Sequence, residues 1–539
     1  MRPNLIDSKV IIILKETETK MSQKFNILWA DDEIDLLKPH ILFLEQKGYE
    51  ITTANSGVDA IEEVEAHNFD VIFLDEMMPG MTGLETLQQI KLIKPQIPVV
   101  MITKSEEEHI MNDAIGGKIA DYLIKPLNPN QILLSVKKLL QNKQLIDEKT
   151  TLNYQQEFMK ISMAFGDAQD HQDWTDIYKK LIYWEMQIDA TENKSMIEVL
   201  ETQKIEANSS FARFVKDNYI DWMEEKNKEK PLLSHQVLKQ KVFPKVQSGK
   251  PLFLIVIDNL RLDQWEDIEP ILAPYFNVEN KDTYYSILPT TTAFARNALF
   301  SGMMPMDMAR FYPKLWEDED SDEGKNNFEE DWLKINLDKN RMNIKASYQK
   351  ILQTQQGKNA VDQFHQLMQN DLNVLVYNFV DMMSHARTDM KMIRELAPDE
   401  SAYRSLTKSW FEHSSLFELF KKIHHAGAEV IVTTDHGTKR VNKPYRIIGD
   451  KNVTTNLRYK QGKNLNFEAG KVFEIKRPED AKLPRLNVSS SYVFAVEDYF
   501  FAYPNNYNYY VNFYKDTFQH GGVSLEEMII PIVQLSPKS

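Results

Sequence analysis

Apolar runs of four to nine residues recur along this chain, and each stops at a carboxylate, a hydroxyl or a lysine. Phe25–Trp29 (FNILW) runs into Ala30-Asp31-Asp32-Glu33, and Val71–Leu74 (VIFL) into Asp75. Val99–Ile102 (VVMI) ends on Thr103, and Asp121–Ile124 (DYLI) on Lys125-Pro126. Helical-period segments alternate with these runs, which predicts an α/β layer with a parallel sheet between helices. From 143 to 245 strand patterns give way to apolar residues three and four apart, over 152–166, 171–190, 193–205 and 208–226, including Trp174, Ile177, Leu181 and Trp184. That spacing predicts a small helical bundle. The charged run Glu224–Lys230 before Pro231 predicts a linker. Strand patterns then return. Pro251–Ile257 (PLFLIVI) ends on Asp258, Leu372–Val380 (LNVLVYNFV) on Asp381, and Glu429–Thr434 (EVIVTT) on Asp435-His436-Gly437. The predicted division is an extension over 1–23, a first domain over 24–142, the bundle over 143–245 and a larger α/β domain over 246–539.

The chemistry sits where these runs stop, because parallel sheets present working groups at the carboxyl ends of their strands. At the first sheet, Asp31, Asp32 and Asp75 can hold a Mg²⁺ ion through a few direct contacts and several waters. Asp75 is then placed as a phosphoryl acceptor, with Lys125 to neutralise an incoming phosphate and Thr103 to hydrogen-bond it once attached. In the second half Asp258, Asp381, His385, Asp435, His436, His520 of QHGG and Thr292 of LPTTTAF offer seven oxygen and nitrogen ligands. That is enough for two divalent cations around a hydroxyl nucleophile. Asp381 and His385, at i and i+4, can face one ion, while Asp435 and His436 serve the other with Asp258. Ser286–Gly302 leads from a strand and turn into a helical pattern near Ala293. Thr292 therefore falls near a helix N-terminus, where backbone N–H groups favour developing negative charge.

Composition removes several alternatives. The 539 residues carry 64 basic and 79 acidic side chains, a net charge of −15, so the overall field that accompanies non-specific duplex binding is missing. No short glycine turn followed by a basic recognition helix occurs between 143 and 245, which argues against DNA binding there. The absence of cysteine excludes disulfides, thiolate zinc sites and iron–sulfur clusters. No apolar stretch reaches the roughly 20 residues of a membrane span, and Val10–Leu14 lacks the marks of a signal peptide. Residues 1–20 read as an upstream extension, disordered or adventitious, before a natural start at Met21-Ser22.

The amino-terminal set resembles a two-component receiver domain of flavodoxin-like fold over residues 24–142: paired acids, D-x-M-M-P-G-M-x-G from Asp75, a Thr after the fourth strand and K-P after the fifth. The resemblance implies phosphorylation at Asp75, a switch through Thr103, Lys125 and Tyr122, and homodimers on phosphorylation. Residues 250–539 resemble the alkaline phosphatase superfamily, and within it the PglZ-type domain with a mixed sheet, through Pro289-Thr290-Thr291-Thr292, D-x-x-x-H and T-T-D-H-G. This implies one zinc ion on Asp381, His385 and His520 and a second on Asp258, Asp435, His436 and Thr292, with Thr292 the catalytic nucleophile. Thr291 stands one alignment step away. Arg296 would lie near the phosphoryl oxygens, and Asn297 is a weaker candidate for that place. The whole order resembles the PorX-type family of response regulators, which govern type IX secretion. It implies a cytoplasmic protein with a partner sensor histidine kinase, and contacts with a sigma factor or secretion component. The expected activity is zinc-dependent hydrolysis of phosphodiesters in short or cyclic oligonucleotides, with monoesters, sulfate esters and phosphonates still open. The alternatives are a signalling adaptor with a structural zinc site and a DNA-binding transcription factor.

Three segments stand outside this scheme. Trp316–Trp332 is acid-rich and reads as a solvated surface segment. Residues 438–490, with Lys439, Arg440, Lys443, Arg446, Arg458 and Lys460, read as a basic lid favouring an anionic, extended substrate. Tyr503–Tyr514 (YPNNYNYYVNFY) reads as an ordinary half-buried strand in preference to a face for stacking bases.

Overall fold

The structure, a computed structural model, describes residues 25–104, 119–191, 193–224, 229–316, 326–449, 454–468, 470–485, 487–502 and 506–538. The expected extension over 1–23, residues 225–228 of the charged linker, residues 317–325 of the acidic segment and residues 503–505 lie outside the described residues. The chain forms two compact units, one of residues up to 159 with 184–200, the other of 160–183 with 201–539.

The first unit holds five parallel strands, β1 (Asn26–Ala30), β2 (Glu50–Ala54), β3 (Val71–Asp75), β4 (Val99–Thr103) and β5 (Asp121–Ile124), in the order β2-β1-β3-β4-β5. Leu28, Ile72 and Met101 pack on one face of this sheet and Trp29, Phe73 and Val100 on the other. Cover on both faces is why β1, β3 and β4 read as unbroken apolar runs. The apolar pattern marked four of the five strands. β2 (EITTA) is an exposed edge with no such run to mark it.

The middle is helical, with two differences from the periodicity. Segment 152–166 continues the last helix of the first sheet without a break, as Pro129–Asp167. Segments 193–205 and 208–226 are one helix, Lys194–Trp222, since Glu206-Ala207 between them are good helix formers. In the second unit these helices meet through aromatic rings: Trp174 lies 5.5 Å from Phe211 and 6.4 Å from Phe165. Tyr285 closes the seam at 5.6 Å from Trp222 and 6.2 Å from Phe211.

The second unit is built on six strands: β6 (Leu252–Ile257), β7 (Phe276–Tyr285), β8 (Ala346–Ile351), β9 (Leu372–Tyr377), β10 (Glu429–Thr433) and, after a set of short strands, β18 (Ile529–Pro537). Their order is β7-β18-β10-β6-β9-β8. The four strands from β10 to β8 are parallel and the two at the other edge antiparallel, giving the mixed sheet. Thr433 pairs with Val256, and Ile257 with Tyr377, so β10, β6 and β9 finish level. Everything that follows depends on that shared edge.

The short strands are β11 (Lys439–Val441), β12 (Lys443–Arg446), β13 (Tyr459–Gly462), β14 (Val472–Ile475), β15 (Ser491–Ala495), β16 (Tyr499–Ala502) and β17 (Thr517–Gln519). They correct in part the reading of 438–490 as a basic lid. Lys439 is buried against Glu526 at 2.7 Å, and Arg458 against Glu527 at 2.6 Å. Lys460 donates to the Thr454 carbonyl at 2.6 Å, and Lys443 pairs with Asp498 at 2.8 Å. Lys439, Lys443 and Arg458 thus neutralise neighbouring acids, and Lys460 is spent on a backbone carbonyl, so these four add little to a positive field. The aromatic tract is also corrected: Tyr507–Tyr514 is a helix. Aromatic residues four apart suit a helix, and Tyr507, Val511 and Tyr514 lie over Val441, Phe500 and Ala502.

Candidate active site

In the first unit Asp31 follows β1 and β3 ends on Asp75, and the carboxylates of Asp31, Asp32 and Asp75 lie within 4.8 Å of one another. Asp31 and Asp75 are buried, while Asp32 is exposed. Lys125, just beyond β5, places its ammonium 3.0 Å from Asp31 Oδ2 and 2.7 Å from Asp75 Oδ1. Burial holds the Asp75 carboxyl above its ordinary range, with Asp31 and Asp32 adding to the rise against the pull of Lys125. The Lys125 ammonium is itself held above its ordinary value, since both carboxylates outweigh its partial burial. Thr103 closes β4 and is nearly buried, whereas Tyr122 on β5 is exposed. Gly83 shows why the motif after Asp75 ends as it does. A Cβ there would stand 2.2 Å from the Asp75 carbonyl oxygen, so only glycine lets the helix Gly83–Ile93 dock. Thr82 and Glu85 cap that helix reciprocally.

The second site forms at the level edge of β6, β9 and β10. Asp258 follows β6, and Asp435-His436 follow β10 one residue on. Asp381 and His385 sit one turn apart on the helix Phe379–Asp389 after β9, and His520 follows β17. Ligand atoms of Asp381, His385 and His520 fall within 4.8 Å of one another, and so do those of Asp258, Asp435 and His436. The separation into two trios is the one expected from the sequence. Within them His385 Nε2 stands 3.5 Å from Asp381, His520 Nε2 3.6 Å from Asp381, and His436 Nε2 3.6 Å from Asp435 and 3.8 Å from Asp258. These gaps are longer than good hydrogen bonds. They are a few tenths of an ångström longer than the roughly 3.3–3.4 Å between atoms that share a tetrahedral ion at about 2.0–2.1 Å, so a small inward shift would close each trio on an ion. Asp435 Oδ2 is buried and accepts no hydrogen bond from the described residues. His436 Nδ1 lies 3.1 Å from the Gly437 carbonyl, which fixes the ring with Nε2 toward the acids. The donors present therefore fit divalent cations, with nitrogen on both trios favouring zinc over magnesium.

Without an ion the acids repel one another. Burial, then Asp258, pushes the Asp435 carboxyl up to about 6. The same two causes raise Asp381. Asp258 goes the other way: burial opposes its charge, but Arg296 and His436 outweigh it and hold it below the ordinary range. His436 is raised because Asp435, Asp258 and Asp381 overcome its burial.

Thr292 Oγ1 lies 3.2 Å from His436 Nε2 and 3.5 Å from Asp258 Oδ1, at the start of a helical turn, Thr292–Arg296. It lines a cavity of about 740 Å³ together with Asp258, Asp381, His385 and His520. Thr291 is buried and does not line that cavity. Geometry thus separates the two threonines in favour of Thr292. Arg296 is corrected in part. It lines the cavity, but its guanidinium is committed to Asp258 at 2.6 Å and Glu329 at 2.7 Å, with Asp435 at 3.8 Å. It counters the acids of one trio, where the sequence placed it against phosphoryl oxygens. Asn297 turns away, donating to the Ala293 carbonyl and to Asn326.

Several supporting residues escaped the sequence reading. Asn259, at φ 64°, donates from its side chain to Asp381 at 3.3 Å and from its backbone to Asp435 at 3.4 Å. Glu527 accepts from Gly522 N at 2.9 Å, Ser524 at 2.7 Å and Arg458 at 2.6 Å, and its carbonyl accepts from Gly437 N at 3.2 Å. It joins the His520 loop to the Asp435-His436 turn. A Cβ at Gly437 would stand 2.0 Å from the Glu526 carbonyl oxygen, so this approach also requires glycine. Asn208, on the helix Lys194–Trp222, accepts from Leu525 N at 2.9 Å and donates to Glu526 at 3.4 Å. Only the glycine after Asp-His carried a signal in the sequence.

Three family models match the chain: the response regulator receiver domain over 27–137, the PorX response regulator linker domain over 144–223, and the BREX system PglZ alkaline phosphatase-like domain over 237–535. Among relatives, the alginate biosynthesis transcriptional regulatory protein AlgB of Pseudomonas putida is 35% identical over 128 residues, 24% of this chain and 29% of that protein. The transcriptional regulatory protein ResD of Bacillus subtilis is 37% identical over 114 residues, 21% of this chain and 47% of that protein. The match thus spans less than half the length of either relative. Among solved structures, Vibrio cholerae chemotaxis protein CheY4 is 30% identical and covers 22% of this chain and 99% of its own, with a TM-score of 0.20. No described helix is long and apolar enough to cross a membrane. The PglZ model alone takes in more than half of the chain, and with the other two in this order it shows that the chain belongs to the PglZ alkaline phosphatase-like family as a response regulator of PorX-type architecture.

Proposed function

We propose that this response regulator is phosphorylated on Asp75 and that its PglZ domain is a zinc-dependent phosphodiesterase acting on oligonucleotides, with Thr292 as nucleophile. The observation that carries the reading is the pair of ligand trios flanking an accessible threonine hydroxyl in one cavity. Held by Asp381, His385 and His520 on one side and Asp258, Asp435 and His436 on the other, two zinc ions would supply Lewis-acid stabilisation of charge on the threonine and phosphoryl oxygens. Thr292 Oγ1 forms the new bond to phosphorus as one ester oxygen leaves, and a second displacement by water frees it. Asn259 keeps Asp381 and Asp435 in register, and the Gly437 carbonyl orients His436. Arg296 keeps Asp258 ionised through its ion pair. In the receiver domain Mg²⁺ on Asp31, Asp32 and Asp75 would offset the phosphoryl charge, and Lys125, already against Asp75, would shift to the new group with Thr103 and Tyr122 following.

The family architecture supports a cytoplasmic setting, a partner sensor histidine kinase, homodimers on phosphorylation, and control of type IX secretion through a sigma factor or secretion component. The test compares bis-p-nitrophenyl phosphate with the monoester, using zinc-loaded protein and Thr292→Val. We expect diester turnover that the substitution abolishes with zinc content unchanged. Turnover surviving Thr292→Val removes the mechanism, and zinc bound with no turnover at all returns the adaptor reading.

A further inference from the structure

We propose that the helix Tyr507–Tyr514 is a stacking platform for a nucleobase of the substrate, with Tyr514 as its inner end and Tyr510 as the next ring outward. The proposal rests on the phosphodiesterase reading above and assigns the part of that site that would recognise the base. Five of the eight residues in this helix are aromatic. Their spacing sets rings one turn apart nearly parallel: Tyr510 and Tyr514 at 6.1 Å and 11°, Tyr509 and Phe513 at 5.9 Å and 15°. Tyr509 is 61% exposed. Tyr514 lines the same cavity as Thr292, Asp381, His385 and His520, so the ring series starts at the wall of the cavity that holds the threonine.

The platform is fixed to the ligand-bearing helix. Arg394 donates to the Phe513 carbonyl at 3.4 Å and to the Thr388 carbonyl at 2.6 Å, with its guanidinium 5.9 Å from the Phe513 ring centre. Arg387 donates to the Asp516 carbonyl. Thr388 and Arg387 belong to the helix that carries Asp381 and His385. Two arginines therefore tie the carboxyl end of the aromatic helix, and the residues just after it, to the helix that carries Asp381 and His385. Such precision has no use for a solvated surface helix. It suits a flat, rigid group tethered to the reacting phosphorus, which describes a nucleobase. Stacking also tolerates any base.

The experiment uses the full zinc-loaded chain and three diesters: an adenine dinucleotide, the same dinucleotide lacking one base, and methyl p-nitrophenyl phosphate. The readout is the ratio of kcat/KM for the dinucleotide to that for the base-free diester, in which any loss of active protein cancels. Base–aromatic stacking predicts a fall in this ratio of roughly 5- to 100-fold for Tyr514→Ala, carried mainly by KM. Tyr510→Ala should give a smaller fall, and Tyr514→Phe should retain the ratio. The dinucleotide lacking the stacked base should be insensitive to the substitutions. A ratio within twofold of the unaltered chain in both alanine variants overturns the platform while leaving the phosphodiesterase reading intact. An unaltered chain inert toward all three diesters overturns that reading and the platform with it. An equal fall on the base-free diester assigns Tyr514 to general packing and also overturns the proposal.

Discussion

The receiver trio and the PglZ trios are built by one rule and finished by two. All draw their carboxylates from the carboxyl edge of parallel strands, where successive loops can converge, and only His520 comes from outside that edge. In the receiver domain the finishing groups are an exposed third acid, Asp32, and Lys125 within 3.0 Å of two buried carboxylates. Oxygen ligands alone, a movable ammonium and an open side suit a hydrated ion and a group that comes and goes. In the PglZ domain histidines replace the lysine, and Asp258, Asp435 and His436 are fully enclosed. Arg296, pinned by Glu329, is the compensating charge there and has little freedom to move. The comparison teaches that the edge supplies the carboxylates, while the side chain set against them differs: a partly exposed lysine in one domain, and histidines with a buried arginine in the other.

Four measurements would break or sharpen that contrast. The largest effect should come from Thr292→Val, with diester turnover falling roughly a thousandfold or more while elemental analysis finds zinc content unchanged. Next, Glu527→Ala should weaken zinc binding by about 10- to 100-fold in calorimetry, since the His520 loop and the Gly437 turn lose their common support. A receiver site needs no such supporting shell.

The third is a pH effect on the zinc-free protein. Asp435 is held near 6, above its unfolded value of 3.8, so the folded state keeps a proton that the unfolded state releases. Its contribution to stability is then full below about 4 and is lost as pH rises through about 6. Asp381 and His436 shift in the same direction, against Asp258 alone. Zinc should therefore raise the melting temperature more at pH 8 than at pH 5.5, and its binding at pH 5.5 should release more protons. Equal shifts at both values would deny that these acids are mutually strained. The smallest effect should follow Lys125→Ala, which leaves Asp31 and Asp75 facing each other at a cost of about 1–3 kcal/mol in denaturant unfolding. Added Mg²⁺ should recover most of that loss, and failure to do so would place the ion elsewhere.

Much of this was legible from residue order. A strand that stops on an acid, D-x-x-x-H and D-H-G are local patterns, and local geometry brings their side chains to a known edge. What stayed hidden depends on partners far along the chain. Arg458 meets Glu527 69 residues later, and Lys439 meets Glu526 87 residues later, so the basic count of the stretch overstates what these two residues present to solvent. Arg296 falls under the same heading, because Glu329 reaches it from the far end of the acid-rich segment, where Glu329 and Trp332 are buried and not solvated as the sequence suggested. The aromatic tract failed for another reason: alternation and four-residue spacing coexist in YNYYVNFY, and only the apolar seat at Val441, Phe500 and Ala502 selects the helix. β2 carries too little apolar surface to declare itself.

Asn208 has one more consequence. It grips Leu525 and Glu526 from the long helix Lys194–Trp222, and the next residue, Glu527, grips the loop that carries His520. Lys204, one turn earlier on that helix, is fastened to Glu400 at 3.0 Å. Within the second unit, the linker helix and the loop that carries His520 therefore share one continuous set of hydrogen bonds, and a substitution at Asn208 would be felt at that histidine.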